Sequence, residues 1–333
     1  MTLRSTMTLL AAGAISALAI PSGVGAHSAR VAAACAPVSN IEAIVDDSGS
    51  MKTTDPNRLR VQALDLLIET PGNEGITFGA IEFGGALFSG ETAADTLFPP
   101  EPIGPNAKAM QATLAEKIKA DNGTTDYNAA FAKAKADNPT AQARIFLTDG
   151  GHDMGEYENG HRGGPPTYVI GFSSAISGAD GERLQLIAND TGGKYYPQTD
   201  SSNLQAVVNQ IGTTLTCQST PAAFKDAFAR AGQSKTHAVA IGSKVHSAQL
   251  TLSWGSPLDA FTISNLKIVS HGKTVAVAAR KHVIKVTKRQ GTTFLVVKLS
   301  QLVRGSLRFN VRATKIGSGA PKVNLTTQVT QTP

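Results

Sequence analysis

Between residues 41 and 211 short β-branched runs alternate with apolar stripes at helical spacing, and past Cys217 the alternation stops. The runs lie at 41–45, 76–83, 145–147 and 167–172. The stripes between and after them are Val61, Leu64 and Ile68; Met110, Leu114 and Ile118; Tyr127, Ala130 and Phe131; Leu184, Ile187 and Ala188; and Leu204, Val207, Val208 and Ile211. Spacings of three and four place each set on one helical face. Pro71-Gly72 stops the first helix, and residues 97–105 read as a Pro-rich connection. Strands that alternate with amphipathic helices build a doubly wound α/β domain, its mostly parallel sheet covered on both faces.

After Cys217 the pattern is different. Phe224, Ala227 and Phe228 predict one short helix in a linker over 218–236. From 237 onward the apolar period is two. Leu250 and Leu252 alternate with Thr251 and Ser253, and Leu307, Phe309 and Val311 alternate with Arg308, Asn310 and Arg312. Short alternating strands separated by Gly, Ser and Pro turns predict an all-β sandwich over 237–333. A chain of 333 residues that is 41% hydrophobic can bury two such cores. The run at 249–263, QLTLSWGSPLDAFTI, bears a faint resemblance to bacterial pre-peptidase C-terminal sandwich domains.

Arg4, the apolar run 9–20, Pro21 and the small residues Val24-Gly25-Ala26 predict a signal peptide over 1–26, cut after Ala26. The alternative is a retained anchor, but the run is short of the ~20 apolar residues that a span needs. The expected location is secreted or in the cell envelope, with no membrane span in the mature chain. Charge divides with the folds. Residues 1–217 carry 14 Lys and Arg against 23 Asp and Glu, whereas residues 218–333 carry 17 against 2. An acidic domain joined to a basic one predicts mutual attraction or separate partners.

The stretch that points to chemistry is 41–51, IEAIVDDSGSM. A buried run ends abruptly in Asp46, Ser48 and Ser50 at alternate positions, with Gly49 permitting a tight turn. A carboxylate and two hydroxyls at a strand's C-terminal end are ligands suited to a hard cation. The spacing Asp46-x-Ser48-x-Ser50 resembles the metal-ion-dependent adhesion site (MIDAS) of von Willebrand factor A-type (vWA) domains. That family's motif has two further parts. NGTTDYNAAF supplies a threonine, Thr125, in a loop that opens a helix, and ARIFLTDGG supplies Asp149 after a later strand. The closing segment 184–211 resembles the end of a vWA domain as well. The resemblance implies a vWA domain over 27–217. It also implies Ser48, Ser50 and Thr125 as hydroxyl ligands, Asp46 and Asp149 as carboxylates, and Mg²⁺ (or Mn²⁺ or Ca²⁺) as the ion. Asp47 and Asp126 stand beside these ligands. Either they accept hydrogen bonds that orient the ligand loops, or they cap helices or face solvent.

Cys35 precedes the first strand of this domain and Cys217 follows its last helix. Related domains carry a clasp at these ends, which implies a Cys35–Cys217 disulfide contributing about 3–5 kcal/mol by chain entropy. Two free thiols, or lipidation of Cys35 after Ala32-Ala33-Ala34, are the alternatives.

Catalysis is not expected. The serines stand in D-S-G-S, not G-x-S-x-G, and the chain has no H-E-x-x-H, no Walker A and no G-x-G-x-x-G after a strand. The loop after Asp149 holds His152, Asp153, Glu156, Glu158 and His161, whose spacing matches no tight metal signature. The expected function is capture of an acidic residue on a protein or surface partner through the metal. The alternative is a structural or assembly protein whose basic domain binds anionic envelope polymers, through residues such as Arg280, Lys281, Lys285, Lys288, Arg289, Arg304, Arg308, Arg312 and Lys315. Nucleic acid is not expected, because the basic region has few aromatics for stacking.

Overall fold

The structure is a computed structural model that describes residues 35–84, 92–120, 123–172, 176, 178–197, 199, 203–277 and 285–332. The expected signal peptide, Ala32 to Ala34, Arg280 and Lys281 lie outside the described residues. Residues 36–333 form one compact unit.

The first sheet has six strands: β1 (Asn40–Asp46), β2 (Thr77–Phe83), β3 (Ala94–Pro102), β4 (Ala143–Thr148), β5 (Thr167–Gly171) and β6 (Lys194–Tyr196), in the order β3-β2-β1-β4-β5-β6. Its pairs are parallel except β2 with β3. The helices are α1 (Met51–Thr54), α2 (Leu59–Glu69), α3 (Ile103–Lys117), α4 (Tyr127–Asp137), α5 (Gly178–Thr191) and α6 (Leu204–Leu215). Period-two alternation sends the two faces of β1 to different helix layers. Ile41, Ala43 and Val45 join a core with Leu64 of α2, Leu114 of α3 and Val208 of α6. Ile44 packs on the opposite side with Phe131 of α4 and Ile187 of α5. This is the doubly wound α/β architecture that the alternating pattern predicts.

The Pro-rich connection is a correction. β3 takes Pro99, Pro100 and Pro102 into an antiparallel edge strand, with register shifts at Phe78/Ala80 and Ala80/Ile81. An edge strand tolerates proline because one side of it has no ladder to supply. Pro105 falls in the first turn of α3, where its missing N–H costs no bond.

The remainder is antiparallel: β7 (Ser219–Phe228), β8 (Ser234–Ile241), β9 (Ser247–Trp254), β10 (Ala260–Ser270), β11 (Lys273–Ala276), β12 (Lys285–Gln290), β13 (Phe294–Ser300), β14 (Gly305–Lys315) and β15 (Val323–Thr332). They form a four-stranded sheet, β11-β10-β14-β8, and a five-stranded sheet, β12-β13-β9-β15-β7. Leu250, Leu252 and Trp254 from one sheet and Leu307, Phe309 and Val311 from the other share a buried core, as a β-sandwich requires. The short helix expected at Phe224, Ala227 and Phe228 is instead strand β7, paired with β15 from Ser219 to Phe228. Helical spacing at i, i+3 and i+4 is there, but a ladder with β15 outweighs so short a local preference.

The outer face of the five-stranded sheet is covered by α2 and α6. Leu66 packs on Phe294 and Val296. Gln205 Nε2 donates to Thr293 Oγ1 (2.7 Å), Asn209 Nδ2 to Gln328 Oε1 (2.8 Å), and Gln328 Nε2 to the Ala206 carbonyl (2.9 Å). These bonds explain the buried Gln205, Asn209 and Gln328. Both cysteines are disulfide-bonded, and the chain has only these two, so the bridge is Cys35–Cys217. Among the described residues no helix is long and apolar enough to cross a membrane.

Candidate metal centre

Strand order reverses between β1 and β4. The chain leaves β1 toward β2 on one side, and β4 lies on the other. At such a switch point the flanking connections run to opposite faces and leave a crevice at the strands' carboxyl ends. Asp46 is the last residue of β1, and Asp149 follows the last residue of β4, so both arrive at this edge. Ser48, Ser50 and the short α1 continue from β1, and Thr125 stands in the loop that opens α4.

Hydrogen bonds join most of this set. Asp46 Oδ1 accepts from the Ser48 N–H (2.8 Å), and its Oδ2 accepts from Thr148 Oγ1 (2.6 Å). The Ser48 and Ser50 hydroxyls lie 3.1 Å apart, and Ser50 Oγ donates to Asp149 Oδ1 (2.7 Å). Thr54 Oγ1 donates to Asp149 Oδ2. Thr125 flanks the same turn. Its carbonyl accepts from the Asp153 N–H (3.0 Å), and a Cβ added at Gly150 would sit 3.6 Å from its Oγ1. Asp46, Ser48, Thr125 and Asp149 are buried, and Ser50 is exposed at the rim. Burial, and next the Asp149 charge, push the Asp46 carboxyl up to about 6.

Asp47 and Asp126 have separate roles. Asp126 caps α4, accepting from the Ala129 N–H (3.1 Å). Asp47 is buried and holds the loop in place. It accepts from the Lys119 and Ala120 N–H groups (2.9 and 2.6 Å) and from Arg60 Nη2 (2.5 Å). Arg60 is fully buried, and its Nη1 reaches Asp55 Oδ2 at 3.0 Å. Asp55 in turn accepts the Leu59 and Arg60 N–H groups (2.7 and 3.0 Å). Behind the loop, Gly84 has φ +124°, and a Cβ there would strike the backbone of Asp47 and Ser48.

Nothing in the sequence marks Thr54, Thr148 or Arg60 as part of this edge. Thr54 lies four residues after Ser50, one helical turn, a signal readable only once α1 is known. The loop after Asp149 does not converge. His152 Nδ1 accepts from the Tyr127 N–H (3.1 Å), whereas His161 is held by Tyr157 (2.6 Å) and Asp190 (3.2 Å). Among the described residues, no group of three or more His, Cys, Asp or Glu is placed to hold a metal.

The switch-point set is of a different kind, two carboxylates with hydroxyls. Its donors are all oxygen, and its carboxylates repel each other at a buried edge. That chemistry fits a hard divalent cation. The fold and edge together define an α/β domain with an acid-and-hydroxyl switch point, followed by a β-sandwich.

No protein-family model matches the chain, and no curated protein sequence matches it. Among solved structures it is similar to the pilus adhesin SpaC from Lactobacillus rhamnosus GG, at 14% identity and a TM-score of 0.43, over 90% of this chain and 45% of that one. A manganese-loaded TRAP protein from Plasmodium vivax is similar at 16% identity and 0.39, over 61% of this chain and 87% of that one. The adhesive tip pilin of Group B Streptococcus agalactiae is similar at 8% and 0.42, over 85% and 80%. The chain thus spans about half the length of the SpaC chain. Likenesses of this size carry no functional conclusion.

Proposed function

We propose that this is an exported vWA-type adhesion protein. Asp46, Ser48, Ser50, Thr125 and Asp149 would hold a divalent cation of the Mg²⁺ class, with Mn²⁺ or Ca²⁺ as substitutes. The observation that carries the reading is the junction of two distant segments. Ser50 Oγ bonds Asp149 Oδ1 at 2.7 Å while Ser48 and Ser50 touch, all at the crevice between β1 and β4. A bound cation would offer an open coordination position to an acidic side chain of a partner. The residues of the chain set the rest. Three neutral hydroxyls among five donors would leave the cation more electrophilic than an all-carboxylate cage would, Ser50 is exposed at the rim, and Asp47 with Arg60 fixes the loop. The Ser48 and Ser50 hydroxyls bond each other and Asp149 rather than a histidine base, which favours binding over acyl transfer. The disulfide fits an oxidising compartment outside the cytoplasm.

The test is retention of the mature protein on a cell-envelope fraction in Mg²⁺ or in EDTA, with Mg²⁺ calorimetry of Asp149→Ala beside wild type. Retention lost in EDTA and heat lost in the variant are expected. Unchanged Mg²⁺ affinity in Asp149→Ala would sink the ligand assignment.

A further inference from the structure

The sandwich presents a surface of one sign. Residues 218–333 contain two side-chain carboxylates against 17 Lys and Arg. Asp226 is paired with His237 Nε2 at 2.8 Å. Asp259 is 2% exposed and accepts the Gly317 and Ser318 N–H groups at 2.8 and 3.1 Å. Neither is left to neutralise a surface cation.

Strand register decides where the cations meet. The five-stranded sheet turns its outer face to α2 and α6, but the outer face of the four-stranded sheet is open among the described residues. Residues directly opposite in an antiparallel pair share a face. Arg308 of β14 is opposite Lys267 of β10. Two residues along, Asn310 is opposite Ser264 on one side and Thr236 on the other. Two further along stands Arg312, about 13 Å from Arg308 at the rise of an extended strand. Arg308, Arg312 and Thr236 are exposed. Like charges directly opposite in a sheet are destabilising, and an anion lying between Arg308 and Lys267 removes that penalty.

We propose that the outer face of the four-stranded sheet binds a linear phosphate-bearing polymer, independently of the metal centre. Arginine forks meet phosphate oxygens two at a time. Thr236 Oγ1 donates to Asn310 Oδ1 at 3.0 Å, which fixes the amide and leaves its NH2 group, with the Ser264 hydroxyl, to serve the remaining oxygens. These six positions include no aromatic to stack on a base and no large apolar side chain to enter a bilayer.

The experiment measures binding of the full mature chain to fluorescent inorganic polyphosphate, in EDTA throughout, over a salt titration. EDTA separates this face from the metal reading, so either can fail alone. Lys267→Gln/Arg308→Gln/Arg312→Gln is compared with Arg230→Gln/Lys244→Gln/Lys288→Gln, which removes the same charge at exposed positions elsewhere. The face variant should bind about tenfold or more weakly, and its salt slope should fall by about 2, at roughly 0.7 per lost contact. The control variant should stay near wild type. Equal losses in both variants would reduce the effect to net charge and overturn the site. So would absence of binding, or face-dependent binding that is tighter to phosphatidylglycerol vesicles or single-stranded DNA than to polyphosphate. Thermal midpoints no lower than wild type in both variants show that the fold is intact; relief of the Arg308–Lys267 repulsion should raise that of the face variant slightly.

Discussion

Replacing Arg60 with methionine tests the foundation of the candidate centre without touching a proposed ligand. The guanidinium is fully buried between Asp47 (2.5 Å) and Asp55 (3.0 Å), whose carboxylates are buried too. Methionine keeps most of the volume, so the loss is mainly electrostatic. Removing one partner from a buried ion pair costs about 3–5 kcal/mol, because an uncompensated charge stays behind. Each carboxylate retains two backbone N–H bonds, which places Arg60→Met toward the lower end of that range. At about 2–4 °C per kcal/mol for a unit of this size, the thermal midpoint should fall by roughly 6–15 °C. Circular dichroism melts with the disulfide intact read the shift. The neutral triple variant Asp47→Asn/Asp55→Asn/Arg60→Met should recover much of the loss, since no buried charge then remains unpaired. A drop under about 3 °C, or a triple variant no better than the single one, would refute the buried-charge account of this loop.

Two further outcomes follow from the same sheet. Burial pushes the Glu42 carboxyl from 4.5 up to about 7, against the lowering effect of its Asn138 hydrogen bond (3.0 Å). A raised acid pKa means that the folded state holds the proton more tightly. The contribution is therefore complete below pH 4.5 and is lost as pH rises to about 7, amounting to about 3 kcal/mol. Glu42→Gln should melt higher than wild type at pH 8, with the gap closing toward pH 5; a gap independent of pH would contradict this. At Gly84, alanine must adopt φ +124° with its Cβ against the Asp47–Ser48 backbone, a strain of about 1–3 kcal/mol. Displacement of the proposed ligand loop should weaken the proposed Mg²⁺ binding about 10–100-fold by calorimetry, and unchanged affinity would show that the loop does not depend on this close approach.

Much of this was legible in the chain because the signals were periodic and local. Val61, Leu64 and Ile68 put α2 in place, and the abrupt polar end of β1 marked Asp46 as an edge residue. Where two rules compete, local reading fails. β3 carries three prolines and is a strand only because it lies at an edge. Phe224, Ala227 and Phe228 have helical spacing, yet β15 supplies a ladder over that whole segment. Arg60 was hidden differently. A single cation in an apolar helix gives no hint of its two carboxylate partners until the β1 loop and the helix are brought together. The same holds for Gln205 and Asn209 on α6, polar residues that would pass for solvent-facing until the five-stranded sheet covers them.

The helix that supports the candidate centre also meets the sandwich. Near the start of α2, Arg60 binds Asp47 beside the proposed ligand loop. Two residues on, Gln62 Oε1 accepts from Thr292 Oγ1 at 2.6 Å, then Leu66 packs on Phe294 and Val296, and Glu69 closes the helix 3.5 Å from Arg289. Eleven residues of helix span about 16 Å, so the proposed metal edge and the sandwich share one short rigid element. Around Leu66 the contact is mostly amide and hydroxyl. Such an interface gains little from burial alone, but it demands one register, since any slip leaves Gln205, Asn209 and Gln328 buried without partners. The sandwich is therefore held in one register against α2 and α6.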